Sequence, residues 1–191
     1  MNRRRFLRDA AQVGTGVGVG GVLLGKEING PTVPSTSAGQ PTGSELSKPR
    51  GNPMLRLDGQ WLIATDEKNT GRDEHWFAAP VADARTTRVP SIIQEVYPGF
   101  HGVAWYWRGF QAPTHTYSQG RYLLHFEKVD YLAEAWVNGV HVGGHEGGET
   151  PFVLDITDAV KLNEKNWLAV RVLNPTNDPI DGVVLKETPH Q

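Results

Sequence analysis

The sequence predicts an all-β fold of the sandwich class, and three observations carry this prediction. From Leu55 onward, short runs of alternating apolar and polar residues follow one another, with Gly, Pro and Asn between them. One pair of these runs flanks an Asn-Gly dipeptide. No stretch keeps the 3.6-residue apolar period of a long helix, which disfavours a helical bundle or a βαβ array. Strands spaced in this way indicate a β-sandwich or jelly roll.

The strands follow from the alternation of side chains along each run. In a strand over residues 105–112, Trp105 and Trp107 fall on one face. Tyr106 and Phe110 fall on the other face, because successive side chains of a strand point to opposite sides. The same reasoning predicts further strands at residues 61–65, 121–127, 152–155 and 167–173, and one helical turn at residues 157–161.

A hairpin is the clearest local prediction. Residues 133–137 and 140–143 both favour strand, and they flank Asn138 and Gly139. Asn-Gly supplies the positive φ values of a type I′ turn, whose twist matches that of paired antiparallel strands.

The composition excludes several classes of function. The 191 residues are enough for one domain with tails, and the net charge of -2 gives no basic field for nucleic acid. The sequence contains no cysteine, which excludes disulfides, thiolate metal sites and a cysteine nucleophile. No apolar run is long enough to cross a bilayer as a helix.

Residues 1–25 predict a bacterial export signal of the twin-arginine type. Arg3 and Arg4 belong to a basic start, and a mildly apolar, glycine-rich stretch follows over residues 10–25. This interpretation implies the twin-arginine export machinery as a partner and a periplasmic or extracellular destination. The alternative is a basic tail that contacts anionic surfaces.

Residues 26–53 predict a disordered linker, because they are rich in Gly, Pro, Ser and Thr and offer little apolar surface to bury. Residues 36–38 are a candidate cleavage site for the signal. The globular unit is expected over residues 54–191.

A set of segments, taken in order, carries a family resemblance. They are Leu57-Asp58-Gly59-Gln60-Trp61, Val89-Pro90, Trp105-Tyr106-Trp107-Arg108, Ala135-Trp136-Val137-Asn138-Gly139 and Val142-Gly143-Gly144-His145-Glu146-Gly147-Gly148. Over about residues 55–185 the chain resembles the N-terminal sugar-binding domain of glycoside hydrolase family 2, whose members include β-galactosidases, β-glucuronidases and β-mannosidases.

The resemblance implies a galactose-binding-like jelly roll. In the family this domain precedes an immunoglobulin-like domain and a (β/α)₈ barrel that holds two catalytic glutamates. We therefore expect a truncated chain without catalytic residues or cofactors, in which the last strand of the sandwich is absent.

Two pairs of residues have side chains that could carry out chemistry. Glu146 and Glu149 lie close together in a glycine-rich loop, but solvated loop charges explain them better than the paired carboxyls of a glycosidase. His141 and His145 have the spacing of metal ligands on a helix. Because they fall in a predicted strand and loop, no metal site is expected.

The aromatic residues raise the question of sugar binding. Most of the tryptophans are expected in the core, since strand tryptophans usually pack there. Trp105 and His101 adjoin a Pro-Gly loop and are predicted as surface residues near carbohydrate. In some family members, loops of this domain approach the barrel mouth, and the resemblance adds the loop around Asp181.

Three functions remain open from the sequence. The chain is either the accessory domain of an exported glycoside hydrolase, a stand-alone carbohydrate-binding module, or a non-functional remnant. A carbohydrate or glycoside and the remaining domains of a glycosidase are the expected partners.

Overall fold

The computed structural model describes residues 18–19, 22–25, 53–114, 120–174 and 176–184, and their regular structure is almost entirely strand. One 3₁₀ turn spans Ile93–Glu95. Of the residues described, none forms a helix with the length and apolar character that crossing a bilayer requires. The strands are β1 (Gly18–Val19), β2 (Val22–Gly25), β3 (Leu55–Arg56), β4 (Gly59–Thr65), β5 (Arg85–Val89), β6 (Ser91–Ile92), β7 (Val103–Gln111), β8 (Leu123–Phe126), β9 (Leu132–Val137), β10 (Val140–Glu146), β11 (Phe152–Asp155) and β12 (Lys165–Leu173). The all-β prediction is confirmed.

The larger sheet has six antiparallel strands in the order β10-β9-β12-β7-β4-β5. Its centre is the pair β7 and β12, which are matched without a break from Lys165 opposite Gln111 to Leu173 opposite Val103. This long central pair positions the strands on either side of it in the larger sheet.

The smaller sheet has the order β11-β8-β2-β3, and β1 pairs separately with β6. Its strand β2 comes from the segment predicted as the apolar part of the export signal. The rest of that signal and most of the predicted linker lie outside the described residues, as do residues 36–38. The signal, the linker and the boundary at residue 54 therefore stay predictions.

The main core lies between the two sheets. The smaller sheet contributes Leu124 and Phe126, and the larger sheet contributes Ile63, Tyr106 and Leu168, all of them at most 1% exposed. Tyr106 lies on the face of β7 opposite Trp105 and Trp107, as predicted, and Leu124 and Phe126 occupy alternate positions of β8. Two sheets that pack their apolar faces together make a sandwich, and the alternation that predicted it is confirmed.

The hairpin forms as predicted. Strands β9 and β10 flank Asn138 and Gly139, whose φ angles are 52° and 81°. The Asn138 side chain also holds β12, because its Oδ1 accepts a hydrogen bond from the backbone N–H of Trp167 at 3.0 Å. Asn138 thus sets the turn and ties it to the neighbouring strand.

The predicted helical turn forms one residue earlier than expected. The backbone N–H groups of Ala159 and Val160 both donate to the carbonyl of Ile156, at 3.0 and 3.1 Å. The chain then continues into β12 without a further helical turn.

Candidate functional site

The outer face of the larger sheet carries a second core, which is rich in tryptophan. Trp105 lies with its ring centre 5.1 Å from that of Trp136 and 6.4 Å from that of Trp107. The segment 66–84, between β4 and β5, covers these rings. Phe77 stacks on Trp136 with 5.7 Å between ring centres, and Trp107 donates its indole N–H to the Trp76 carbonyl at 2.7 Å.

Asp66 anchors the start of this covering segment. Its carboxylate is buried and accepts hydrogen bonds from the backbone N–H groups of Thr70 and Gly71, each at 2.9 Å. It also accepts the indole N–H of Trp105 at 3.0 Å. A Cβ on Gly71 would lie 2.5 Å from that indole nitrogen, so only glycine fits at this contact.

The prediction that Trp105 lies at the surface is wrong. Its side chain is 0% exposed, because the segment 66–84 folds over the face to which it points. Trp105 therefore presents no ring face to a sugar in this structure. The expectation that most of the tryptophans lie in the core is confirmed. Trp61, Trp107 and Trp136 are buried as well, and the remaining two tryptophans are half-buried.

A charged network joins the covering segment to the sheet, and Arg171 of β12 is its centre. The Arg171 side chain is 0% exposed. Its Nη1 donates to Glu134 Oε2 at 3.1 Å, and its Nη2 donates to Asn69 Oδ1 and to Asp181 Oδ2, both at 2.6 Å. Arg72 adds a second guanidinium that pairs with Glu134 and lies 3.0 Å from Asp181 Oδ2.

Asp181 is the sequence-predicted site residue that this network holds. Its carboxylate also accepts a hydrogen bond from Asn69 Nδ2 at 2.8 Å. Burial alone would raise the pKa of Asp181, but this hydrogen bond and the positive charges of Arg171 and Arg72 outweigh it and lower the pKa below its usual value. The carboxylate is therefore a charged structural partner of the arginines.

His101 is exposed, and the backbone of its loop is held by hydrogen bonds from Gln94 and Asn174. The carbonyl of Phe100 accepts the side-chain amides of Gln94 and Asn174, at 2.9 and 3.3 Å. The carbonyl of Gly102 accepts the backbone N–H of Asn174 at 2.8 Å. Two hydrogen bonds from Asn174, whose side chain is buried, thus fix the chain on both sides of His101.

The structure brings the two predicted loops together. A Cβ placed on Gly102, next to His101, would lie 4.0 Å from Cδ1 of Ile180, which is next to Asp181. The His101 loop and the Asp181 turn are neighbours at the same end of β12. Their proximity to carbohydrate stays a prediction.

A shallow cleft of about 310 Å³ lies beside the network on the β9–β10 hairpin, and its lining includes Arg72, Glu134, His141 and Glu146. Glu146 accepts a hydrogen bond from the Tyr131 hydroxyl at 3.0 Å. Burial raises the pKa of that hydroxyl, and so does the bond to Glu146. This wall of the cleft is already hydrogen-bonded within the protein.

The two glutamates weighed as a catalytic pair have separate partners. Glu149 pairs with Lys128 Nζ at 2.9 Å, whereas Glu146 bonds to Tyr131. His141 packs edge-on against Trp136, whereas His145 stacks on Phe152 and bonds to Thr150 Oγ1 at 2.8 Å. Within the described part of the chain, no group of three or more His, Asp or Glu side chains could hold a metal.

Sequence reasoning missed the residues that organise this face. Asp66, Arg72, Glu134 and Arg171 carry no local motif, and Glu134 and Arg171 simply look like polar residues on alternating strands. One signal was available, because Glu134 and Arg171 occur at alternate positions in runs otherwise dominated by apolar residues. Charges at such positions on adjacent strands point to a buried ion pair.

Comparison with known proteins gives the family context of this arrangement. Residues 93–188 match the family model described as glycosyl hydrolases family 2, sugar binding domain. The match includes β7 to β12, the His101 loop and the Asp181 turn.

Similar proteins are much longer than this chain. A β-glucuronidase of Paenibacillus borealis is 34% identical over 126 residues, which cover 63% of this chain and 21% of that protein. A β-glucuronidase of Rattus norvegicus is 30% identical over 151 residues, which cover 70% of this chain and 23% of that protein. A solved β-glucuronidase from Ruminococcus gnavus, in complex with a C6-substituted uronic isofagomine, superposes with a TM-score of 0.58 at 25% identity. The superposition covers 63% of this chain and 21% of that chain. The chain thus spans about one fifth of the length of these relatives.

We expect Arg171 to contribute more to stability than any other charged residue of the network. Arg171→Ala leaves Glu134 and Asp181 without their buried partner, and breaking such a pair costs about 3 kcal/mol or more in the free energy of unfolding. Arg72→Ala should cost less, because the Arg72 side chain is 35% exposed. Urea unfolding followed by tryptophan fluorescence measures both.

Arg121→Ala is the matched control for these variants. Arg121 pairs with Asp155 at the surface with 52% of its side chain exposed, and such pairs contribute at most about 1 kcal/mol. An Arg171→Ala variant no less stable than Arg121→Ala would contradict the structural role given to the network.

The lowered pKa of Asp181 predicts a pH dependence of stability. Its folded pKa lies below the unfolded value of about 3.9, so its contribution is complete above that value and is lost as the pH falls through the folded pKa. The melting temperature of Asp181→Asn should therefore lie below that of the wild type at pH 5–7, and the gap should close in acid. Asp158→Asn, at an exposed turn, serves as the control, and a gap that persists unchanged at pH 3 would refute the assignment.

Proposed function

Because the chain belongs to glycosyl hydrolases family 2 through its sugar-binding domain, we propose that it serves as the accessory domain of an exported glycoside hydrolase. In this role the domain packs against the other domains of the enzyme and borders the substrate site. It supplies no catalytic carboxylate of its own. The observation that carries the proposal is the match of residues 93–188 to the sugar-binding domain. The chain spans about one fifth of the length of its glycosidase relative from Paenibacillus borealis.

The geometry of the outer face supports packing rather than free sugar binding. The tryptophans that would offer stacking faces are covered by the segment 66–84, and Trp105 is 0% exposed. The charges beside them are paired in the Arg171 network. The surface left for contact with other domains includes the loop at His101 and the turn at Asp181, which are adjacent and are held by hydrogen bonds from Asn174 and Arg171.

We propose a β-glucuronide as the substrate class of the whole enzyme. Support comes from the relatives named as β-glucuronidases, from both bacteria and mammals. A relative named as a β-galactosidase, at 30% identity over 130 residues, shows that this domain type also occurs with another sugar. The substrate class therefore belongs to the whole enzyme, and the test must include the catalytic part.

A chimeric enzyme tests the accessory role. Residues 54–191 would replace the matching segment of the Paenibacillus borealis β-glucuronidase, and hydrolysis of a nitrophenyl β-glucuronide would be measured. We expect the chimera to recover at least a tenth of the relative's kcat/KM, whereas the relative without the segment should be inactive. Recovery should be lost with Ile63→Asp, because Ile63 is 0% exposed and a charge there disrupts the core.

The unmodified chain provides the opposing measurement. Alone, it should not hydrolyse nitrophenyl β-glucuronides, β-galactosides or β-mannosides, and turnover removed by Glu146→Gln or Glu149→Gln would contradict the proposal. Saturable quenching of its tryptophan fluorescence by a polysaccharide, together with an inactive chimera, would instead establish a stand-alone binding module.

We also propose that the chain is exported by the twin-arginine route to the periplasm or beyond. The support is the order of features in residues 1–25, with paired arginines ahead of a weakly apolar stretch. Arg3 and Arg4 lie outside the described residues, so the argument rests on sequence alone. The absence of cysteine suits a domain that folds before it is exported.

Charge-preserving substitutions separate export from surface binding. Arg3→Lys with Arg4→Lys keeps the positive charge but alters a signal that a receptor reads. We expect cell fractionation to find the wild-type chain outside the cytoplasm and to find at least tenfold less of the double variant there. Equal export of both chains would refute the twin-arginine route, and a wild-type chain retained in the cytoplasm would leave only the basic-tail interpretation.

A further inference from the structure

The smaller sheet contains a strand that comes from far away in the sequence. Strand β2 lies between β8 and β3, with Leu23 opposite His125 on one side and opposite Arg56 on the other. Strand β1, just before it, pairs with β6. Residues of the predicted export signal thus complete the pairing of both β8 and β3.

The register places apolar residues of β2 beside the main core. Val22 and Leu24 occupy positions opposite Phe126 and Leu124, whose side chains are buried between the sheets. Leu23, between them, lies opposite His125 of β8. Val22, Leu23 and Leu24 are all apolar, so the segment has no period-two alternation, and its placement rests on its pairing with β8 and β3.

Strand β2 is short. It has four residues, as does its neighbour β8, whereas β7 and β12 of the larger sheet have nine each. On its outer side it meets β3, which has only two residues. Along its other edge, β8 pairs with β11 from Phe126 opposite Phe152 to Leu123 opposite Asp155. Short strands of this kind open locally without unfolding of the whole domain.

From this placement we propose that the gap between β8 and β3 is a strand-binding groove and that its occupant is the chain's own Val22–Gly25. The occupant is bound by backbone pairing on both sides, and it can leave while the sandwich stays folded. If the chain is exported as proposed and is not cleaved at residues 36–38, the same four residues serve first in the signal and then in the sheet. The groove itself does not depend on export.

Pairs of introduced cysteines test the occupant, because the natural chain contains none. Leu23→Cys with His125→Cys places two thiols at directly opposed positions of β2 and β8, whose separation suits a disulfide. We expect at least 80% of the full-length chain to form an intramolecular disulfide on mild oxidation, as measured by gel mobility and mass spectrometry.

Leu23→Cys with Val153→Cys is the matched control. Val153 lies opposite His125 on the far side of β8, two strands from Leu23 and about 9.5 Å away. A disulfide does not bridge that distance without backbone movement, so this variant should crosslink at least tenfold less. Equal crosslinking in both variants, or none in either, would overturn the proposal. Disulfide-linked dimers would show that a second copy fills the groove, which would also overturn it.

A peptide of residues 16–30 tests whether the occupant is removable. The labelled peptide should bind the reduced Leu23→Cys/His125→Cys chain saturably in fluorescence anisotropy. Binding should fall at least tenfold once the disulfide locks β2 in place. A peptide with Leu23→Pro should not bind, because proline removes a donor and is excluded from paired interior strands. Equal binding to the locked and reduced chains, or to neither, would refute a removable occupant.

Discussion

The buried guanidinium of Arg171 is the constraint on which the outer half of this domain depends. A charge taken fully out of water is tolerated only with opposite charges and hydrogen bonds around it. Here those partners come from three separate parts of the chain. They are Glu134 on β9, Asn69 in the segment after β4, and Asp181 in the turn between Ile180 and Val183. Because Arg171 cannot be satisfied by its own sheet, the covering segment and the turn must both come to it. Their positions are thus coupled through a single side chain.

This coupling explains why the larger sheet is buried on both faces. One face of β7 and β12 packs in the main core, and the other face carries Trp105, Trp107 and Ala169 in the second core. A strand buried on both sides needs a cover that stays in place, and segment 66–84 has little regular structure to hold it. Asp66 fixes its beginning through Trp105, and Arg72 fixes its middle through Glu134. The tryptophans therefore contribute to the stability of the domain.

The parts of this fold that sequence could predict are those decided locally. The hairpin depends on Asn138 and Gly139 and on strands of alternating character, all between Leu132 and Glu146. The faces of β7, β8 and β12 likewise follow from period-two alternation. Alternation assigns Trp105 to one face but does not show what covers that face, since segment 66–84 has no periodicity to reveal its path. For the same reason the buried Arg171 looked like an ordinary strand residue, and the pairing of Val22–Gly25 with β8 is a contact across a hundred residues that no local pattern encodes.

The end of β12 connects these structural facts to the proposed role. Arg171 holds the turn at Asp181, and Asn174, three residues later, holds the loop on both sides of His101. One short stretch of backbone therefore sets the position of both loops relative to each other and to the sandwich. Loops fixed in this way lose little conformational entropy when another domain packs against them, so more of the contact energy is retained as affinity. A rigid loop pair on a doubly buried sheet suits an accessory domain that borders a substrate site, because such a domain acts through where it places its loops.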